Sequence, residues 1–146
     1  MKRYEKILVG IDGSEQSKNA LYRAIDLAQA LDASLLLVTV VDNPAISMAI
    51  AGNYAIPPQL NDDLIKQAKS TMTKYTAIAQ QAGVQFEDRV LMGDHKTQMA
   101  NDIPEKENAD AIVIGATGLT RVERVFIGST ASYIMNNAKC DVIIVR

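Results

Sequence analysis

The sequence has one cysteine, one histidine and no long apolar run among its 146 residues, and its formal charge is only −2. A single cysteine, Cys140, forbids an intrachain disulfide. It lies in an apolar stretch and reads as a buried strand residue rather than a reactive thiol, because free cysteine is among the most buried residue types. The lone His95 follows Gly93-Asp94 and reads as a surface loop residue. No metal cluster, catalytic triad or Cys–His pair can be assembled around it from the sequence. No stretch approaches the ~20 apolar residues that cross a bilayer, and no apolar signal region precedes the first strand-like run. The expectation is a soluble, cytoplasmic protein with no membrane partner. The missing positive charge argues against nucleic acid, whose phosphates are bound through an excess of Lys and Arg. Gly-Lys-Ser/Thr and G-x-G-x-x-G are both absent, which excludes a Walker A loop and a dinucleotide fingerprint.

Hydrophobic residues make up 48% and charged residues 22%, the balance of a globular chain. The length fits one domain over residues 1–146, large enough to bury a core without staples. Ile7-Leu-Val-Gly-Ile11 is a short apolar run and reads as a buried strand. Ala20, Leu21, Ala24, Ile25, Ala28 and Leu31 recur at helical steps, so residues from about 15 to 31 form a helix. Ser34 to Val41 reads as a second strand, and about Leu60 to Ala82 as a second helix ended by Gly83. Val84 to Met92 is a polar third strand. A weak helix from about Lys96 to Asp102 is cut by Pro104. Ala111 to Ile114, a helix from about Ser129 to Asn137 with Ala131, Ile134, Met135 and Ala138 in phase, and Asp141 to Val145 complete the chain. Strands and helices alternate, which implies a parallel sheet with helices on both faces. In such sheets a ligand sits beyond the carboxyl ends of the strands, where the strand order reverses.

The loop after the fourth strand carries Gly115-Ala-Thr117-Gly118, then nine residues, then Gly128-Ser129-Thr130. Glycines let a backbone approach a ligand closely. Consecutive N–H groups form an anion-binding nest, and the open N–H groups and dipole of the helix starting at Ser129 add to it. The alternative is a loop with turn glycines and a Ser N-cap. Arg121 and Arg124 lie inside the loop, either as phosphate donors or as solvated side chains. Gly10-Ile11-Asp12-Gly13-Ser14 follows the first strand. Asp12 there accepts a hydrogen bond from a base or ribose, helps hold a divalent ion, or only supports the helix start.

These residues together resemble the universal stress protein family in its ATP-binding branch. Gly115, Gly118, Gly128 and Ser129 match the family's G-x2-G-x9-G-Ser/Thr without a gap. Ile7 to Ser14, Thr39-Val-Val-Asp42, Asp110 to Gly115 and Cys140 to Val145 are similar to its other segments. The resemblance implies an α/β fold, an open five-stranded parallel sheet in order 3-2-1-4-5, Rossmann-like and of the adenine nucleotide alpha hydrolase type. It implies ATP at the switch point between strands 1 and 4, with adenosine against Gly10, Ile11, Asp12, Val40 and Ile114. The phosphates would lie on Gly115, Thr117, Gly118, Gly128, Ser129 and Thr130, with Mg²⁺ or Mn²⁺ held mainly by the phosphates. The family often has His or Arg where this chain has Thr117, which implies a weaker side-chain contact here.

In that order strands 3 and 5 are edges. Strand 3 is blunted by Glu87, Asp88 and Arg89, whereas Val142, Ile143, Ile144 and Val145 carry no charge. The expectation is a homodimer paired antiparallel through strand 5, which is also the family's habit. The segment from Asn43 to Gln59 is long and apolar for a loop, with Ile46, Met48, Ile50, Tyr54 and Ile56. It covers the nucleotide, extends a dimer contact or packs over the sheet. No general base is evident near the expected γ-phosphate, so the functional expectation is an ATP-binding regulatory or stress-response protein with at most slow hydrolysis and no catalytic residue. The rival readings are a non-nucleotide interaction dimer on the same fold and a weak ATPase.

Overall fold

The computed structural model describes residues 3–42, 52, 59–117 and 126–146. Gly118, Arg121, Arg124 and the apolar residues Ile46, Met48, Ile50, Tyr54 and Ile56 therefore lie outside the described residues. Five strands, β1 (Lys6–Gly10), β2 (Ser34–Val41), β3 (Phe86–Met92), β4 (Ala111–Gly115) and β5 (Asp141–Val145), form one sheet. All pairings are parallel and the order is β3-β2-β1-β4-β5. Between them run α1 (Glu15–Leu31), α2 (Leu60–Ala82), α3 (His95–Thr97), a π-helical turn (Gln98–Asp102), α4 (Ile103–Glu107) and α5 (Ser129–Asn137). Among the described residues no helix is long and apolar enough to cross a membrane.

The uninterrupted apolar runs in β1, β2 and β4 follow from burial on both faces, and strand alternation divides their side chains. Ile7, Val9, Leu35, Leu37 and Val113 point to one face, where Ala20, Leu21, Ala24, Ile25 and Ala28 of α1 and Met72, Tyr75 and Ala79 of α2 cover them. Leu8, Leu36, Val38, Ile112 and Ile114 point to the other, against Met99, Ala100, Ile103, Ala131 and Ile134. Met135 is in helical phase with these but is 48% exposed, and within α5 only Ala131 and Ile134 are fully buried. The polar third strand is an edge, and Arg89 bonds Glu87 at 2.7 Å along it. Its pairing with β2 starts at Phe86, two residues later than expected.

Pro104 does not cut the third helical segment. The backbone stays helical to Glu107, because a π turn precedes the proline and Ile103 N–H bonds Gln98 O, five residues back. Proline has no N–H for the usual bond, and its ring crowds the carbonyl four residues earlier. The wider turn relieves both problems, a common use of π-bulges. It also seats Met99 and Ala100 in the core.

Candidate functional site

A cavity of about 450 Å³ opens beyond the carboxyl ends of the central strands, at the reversal of strand order between β1 and β4. Ten of the eleven residues expected at the site line it: Gly10, Ile11, Asp12, Val40, Ile114, Gly115, Thr117, Gly128, Ser129 and Thr130. The eleventh, Gly118, lies outside the described residues. The cavity also takes in Val38, Met99 and Ile134, so part of its lining is apolar. The two stems of the β4–α5 loop line it as well.

Those stems touch. Gly128 N–H donates to Ala116 O at 2.6 Å, and Ala116 N–H to Val145 O at 2.8 Å. A Cβ on Gly128 would stand 3.3 Å from Ala116 O, so the close approach itself calls for glycine. Gly128 is the N-cap of α5, with φ −62 and ψ 166, and no side chain caps this helix. The Ser N-cap alternative is thereby excluded. The N–H groups of Ser129, Thr130 and Ala131 have no carbonyl one turn back, and the first intrahelical bond runs from Ser132 to Gly128 O at 2.9 Å. These three residues line the cavity. They offer donors and the positive end of the helix dipole.

Gly115 has a packing reason of its own. A Cβ there would lie 2.9 Å from Gln16 Cβ and 3.0 Å from Gln16 C, so α1 could not approach β4 so closely. That approach lets Gln16 Oε1 accept from Thr117 N–H at 2.6 Å and fix the loop's first stem. Thr117 Oγ1 is buried with no hydrogen-bond partner among the described residues. Asp12 is exposed, and its Oδ1 accepts from Ser14 N–H at 2.9 Å. Ser14, not Asp12, is the N-cap of α1 and accepts from Ser17 N–H at 3.1 Å. The aspartate thus organises the turn before the helix, helped by Gly13 at φ +83.

His95 departs from expectation. It is not in a loop but opens α3, capped by Asp94, whose side chain accepts from Thr97 N–H at 3.3 Å and Oγ1–H at 2.8 Å. The Thr97 hydroxyl holds the Asp94 carboxyl below its ordinary range. The imidazole lines the cavity, with Nδ1 2.6 Å from Asp42 Oδ1 and Nε2 2.8 Å from Thr130 Oγ1. A candidate general base therefore does stand at the site. Chain spacing hid it, since 53 residues separate Asp42 from His95 and 35 separate His95 from Thr130. The available signal was position: His95 lies three residues beyond the carboxyl end of β3. Asp42, Asp94 and His95 each place a ligand atom within 4.8 Å of the others. Both carboxylates already hold protein partners, and these hydrogen bonds account for the grouping. Cys140, outside the cavity, precedes β5 rather than lying in it, and burial pushes its thiol pKa up.

The universal stress protein family profile matches residues 3–146. The chain belongs to the universal stress protein family. A universal stress protein of Methanocaldococcus jannaschii is 32% identical over 144 residues, covering 98% of this chain and 82% of that one. Among solved structures, the universal stress protein UspA of Lactobacillus plantarum superposes with a TM-score of 0.75 at 28% identity, over 100% of both chains. The universal stress protein of Archaeoglobus fulgidus in complex with dAMP gives a TM-score of 0.74 at 22% identity, over 99% of this chain and 100% of that one.

Proposed function

We propose that the cavity binds an adenine nucleotide, ATP in its physiological form, and that the protein is a nucleotide-dependent regulatory member of its family. The observation that carries this is that one cavity is lined both by apolar side chains and by the uncapped first residues of a helix. Val38, Val40, Met99 and Ile114 offer the kind of surface a purine needs. Ser129, Thr130 and Ala131 offer the fixed donors and dipole that phosphates need. The dAMP bound to the Archaeoglobus fulgidus relative supports an adenine nucleotide as the class. Mg²⁺ or Mn²⁺ would accompany the triphosphate, held mainly by its own oxygens.

Calorimetric titration with Mg-ATP tests this. At a free concentration of 100 times Kd, binding adds about 2.7 kcal/mol of stability. For a chain of this size that raises Tm by about 8 °C. No heat and no thermal shift up to millimolar nucleotide would refute the reading.

The assembly we propose is a homodimer paired through β5. Val142, Ile143, Ile144 and Val145 are each only partly buried, at an edge with no charged residue among them, whereas β3 at the other edge carries Glu87, Asp88 and Arg89. Sedimentation at micromolar concentration is expected to give a dimer mass, and a monomer alone would overturn the proposal.

A further inference from the structure

His95 is the one histidine of the chain, and its imidazole bridges two elements at the cavity wall. Asp42, just past β2, accepts at Oδ1 from ring Nδ1 at 2.6 Å and from the His95 backbone N–H at 3.4 Å. Ring Nε2 lies 2.8 Å from Oγ1 of Thr130, in the first turn of α5. A carboxylate only accepts, so the neutral ring carries its proton on Nδ1 and the Thr130 hydroxyl donates into the Nε2 lone pair. A second proton, added at Nε2, reverses that bond and changes nothing else. Nε2–H then donates to Thr130 Oγ1 over the same 2.8 Å, and the hydroxyl hydrogen is released. Both residues line the cavity. One proton therefore gives the cavity a positive charge and a further donor beside the uncapped N–H groups of α5, and no heavy atom has to move.

The surrounding charges give that proton its weight. Among the described residues that line the cavity, Asp12 and Asp42 are acidic and none is Lys or Arg. Asp94 and Lys96 flank His95 on its own segment and do not line the cavity. Of the elements packed against α3, the π turn has only Asp102, which is exposed. The other, α5, has no charged side chain, and its one titratable group, Tyr133, packs against the core. An anionic ligand thus meets two carboxylates and one group able to become a cation. We infer that His95 couples nucleotide binding to proton uptake: the imidazole takes a proton from solvent as the anionic nucleotide enters. This rests on the nucleotide reading of the cavity and adds a pH dependence to it. Histidine changes charge between about pH 5 and 8. A nearby anion favours the charged ring, so the complex keeps the proton to higher pH than the free protein does. Affinity is then greatest below that range and weakens as pH rises through it. An opposite charge within about 4–6 Å moves such a group by about 1–3 pH units, so Mg-ATP should bind at least about 10-fold more tightly at about pH 5.5 than at about pH 8. A purely structural role for His95, tying the end of β2 to α5, predicts binding with no proton uptake.

Calorimetry of the full chain with Mg-ATP, in two buffers of different ionisation heat at about pH 7, counts the protons taken up. A net uptake of a fraction of one proton per nucleotide is expected. His95→Gln keeps hydrogen-bonding groups at the position but does not titrate, so it should lose both the uptake and the 10-fold dependence on pH. Titration of the nucleotide's own phosphates is common to both proteins, so the difference between them belongs to His95. A second readout uses the native chain alone. With one histidine in the sequence, proton NMR gives a single imidazole titration, and added Mg-ATP should move its midpoint to higher pH. If Mg-ATP binds but a folded His95→Gln takes up as many protons as the native chain, the coupling is overturned and the nucleotide reading stands. An imidazole midpoint that bound Mg-ATP leaves in place has the same consequence. If no nucleotide binds at any pH in the range, both readings fall.

Discussion

Replacing Gly128 with valine is expected to weaken ATP binding by about 100-fold or more while the sheet and helices remain folded. The added Cβ would meet Ala116 O at 3.3 Å and Thr117 Cα at 3.5 Å, and both are backbone atoms that cannot swing aside. Valine's two further carbons add to the crowding, and a β-branched residue is stiff about its first torsion. The strain is relieved by moving the start of α5 away from the end of β4. That start carries the N–H groups proposed to hold the phosphates, and a displacement of about 1 Å in such a donor set can cost 10²-fold. The stability cost is smaller, about 1–3 kcal/mol for overpacking, because the disturbance is confined to the start of α5, at the 2.6 Å bond from Gly128 to Ala116 O and the 2.8 Å bond between Thr130 and His95. Gly128→Ala should fall between valine and the native protein. Calorimetry reports the affinity and far-ultraviolet circular dichroism the fold. A folded valine variant that binds ATP as the native chain does would remove the α5 N-terminus from the site.

The contrast between Gly128 and His95 shows what the sequence reveals and what it withholds. Strands β1, β2 and β4 are readable because burial on both faces leaves no room for polar residues, and helices α1 and α2 because one face alone is buried. The glycine loop is readable because its spacing is local and its position after a strand gives it meaning. The sheet order came from family resemblance, since alternation of strands and helices is compatible with several orders. His95 was missed because its partners arrive from two other crossovers, and a lone histidine carries no local pattern. Pro104 misled for a different reason. The rule that proline ends a helix assumes α-helical bonding, and a π turn removes the clash. Gly115 was read toward a ligand, yet Gln16 at 2.9 Å from its missing Cβ gives it a packing role as well. One residue can serve both because the loop's first stem is held by the same Gln16, through the bond from Thr117 N–H.

A core residue on the α1–α2 face of the sheet reaches the cavity's edge through hydrogen bonds. Tyr75 of α2 is 6% exposed and packs in the core formed by α1, α2 and the sheet. Its hydroxyl lies 3.1 Å from Ser17 Oγ and donates to Ser14 O at 3.2 Å. Ser14 in turn caps α1 and donates from its backbone to Asp12, which borders the cavity. Tyr75→Ala removes an aromatic ring from a close-packed core, a change that costs about 3–5 kcal/mol for comparable rings. It also removes one partner of a buried hydroxyl, though Ser17 Oγ still donates to Ser14 O at 3.0 Å. The expected result is a Tm lower by about 10–15 °C. Tyr75→Phe keeps the ring and deletes only the hydroxyl, so its cost should be about 0.5–1.5 kcal/mol. If packing sets the position of the β1–α1 turn, the phenylalanine variant binds nucleotide nearly as the native protein does, and the alanine variant binds more weakly at temperatures where it is still folded. Equal loss of affinity in both would mean that the hydroxyl alone holds the turn. Thermal unfolding of both variants with and without Mg-ATP separates the two, because the ligand-induced shift reports affinity and the ligand-free midpoint reports the core.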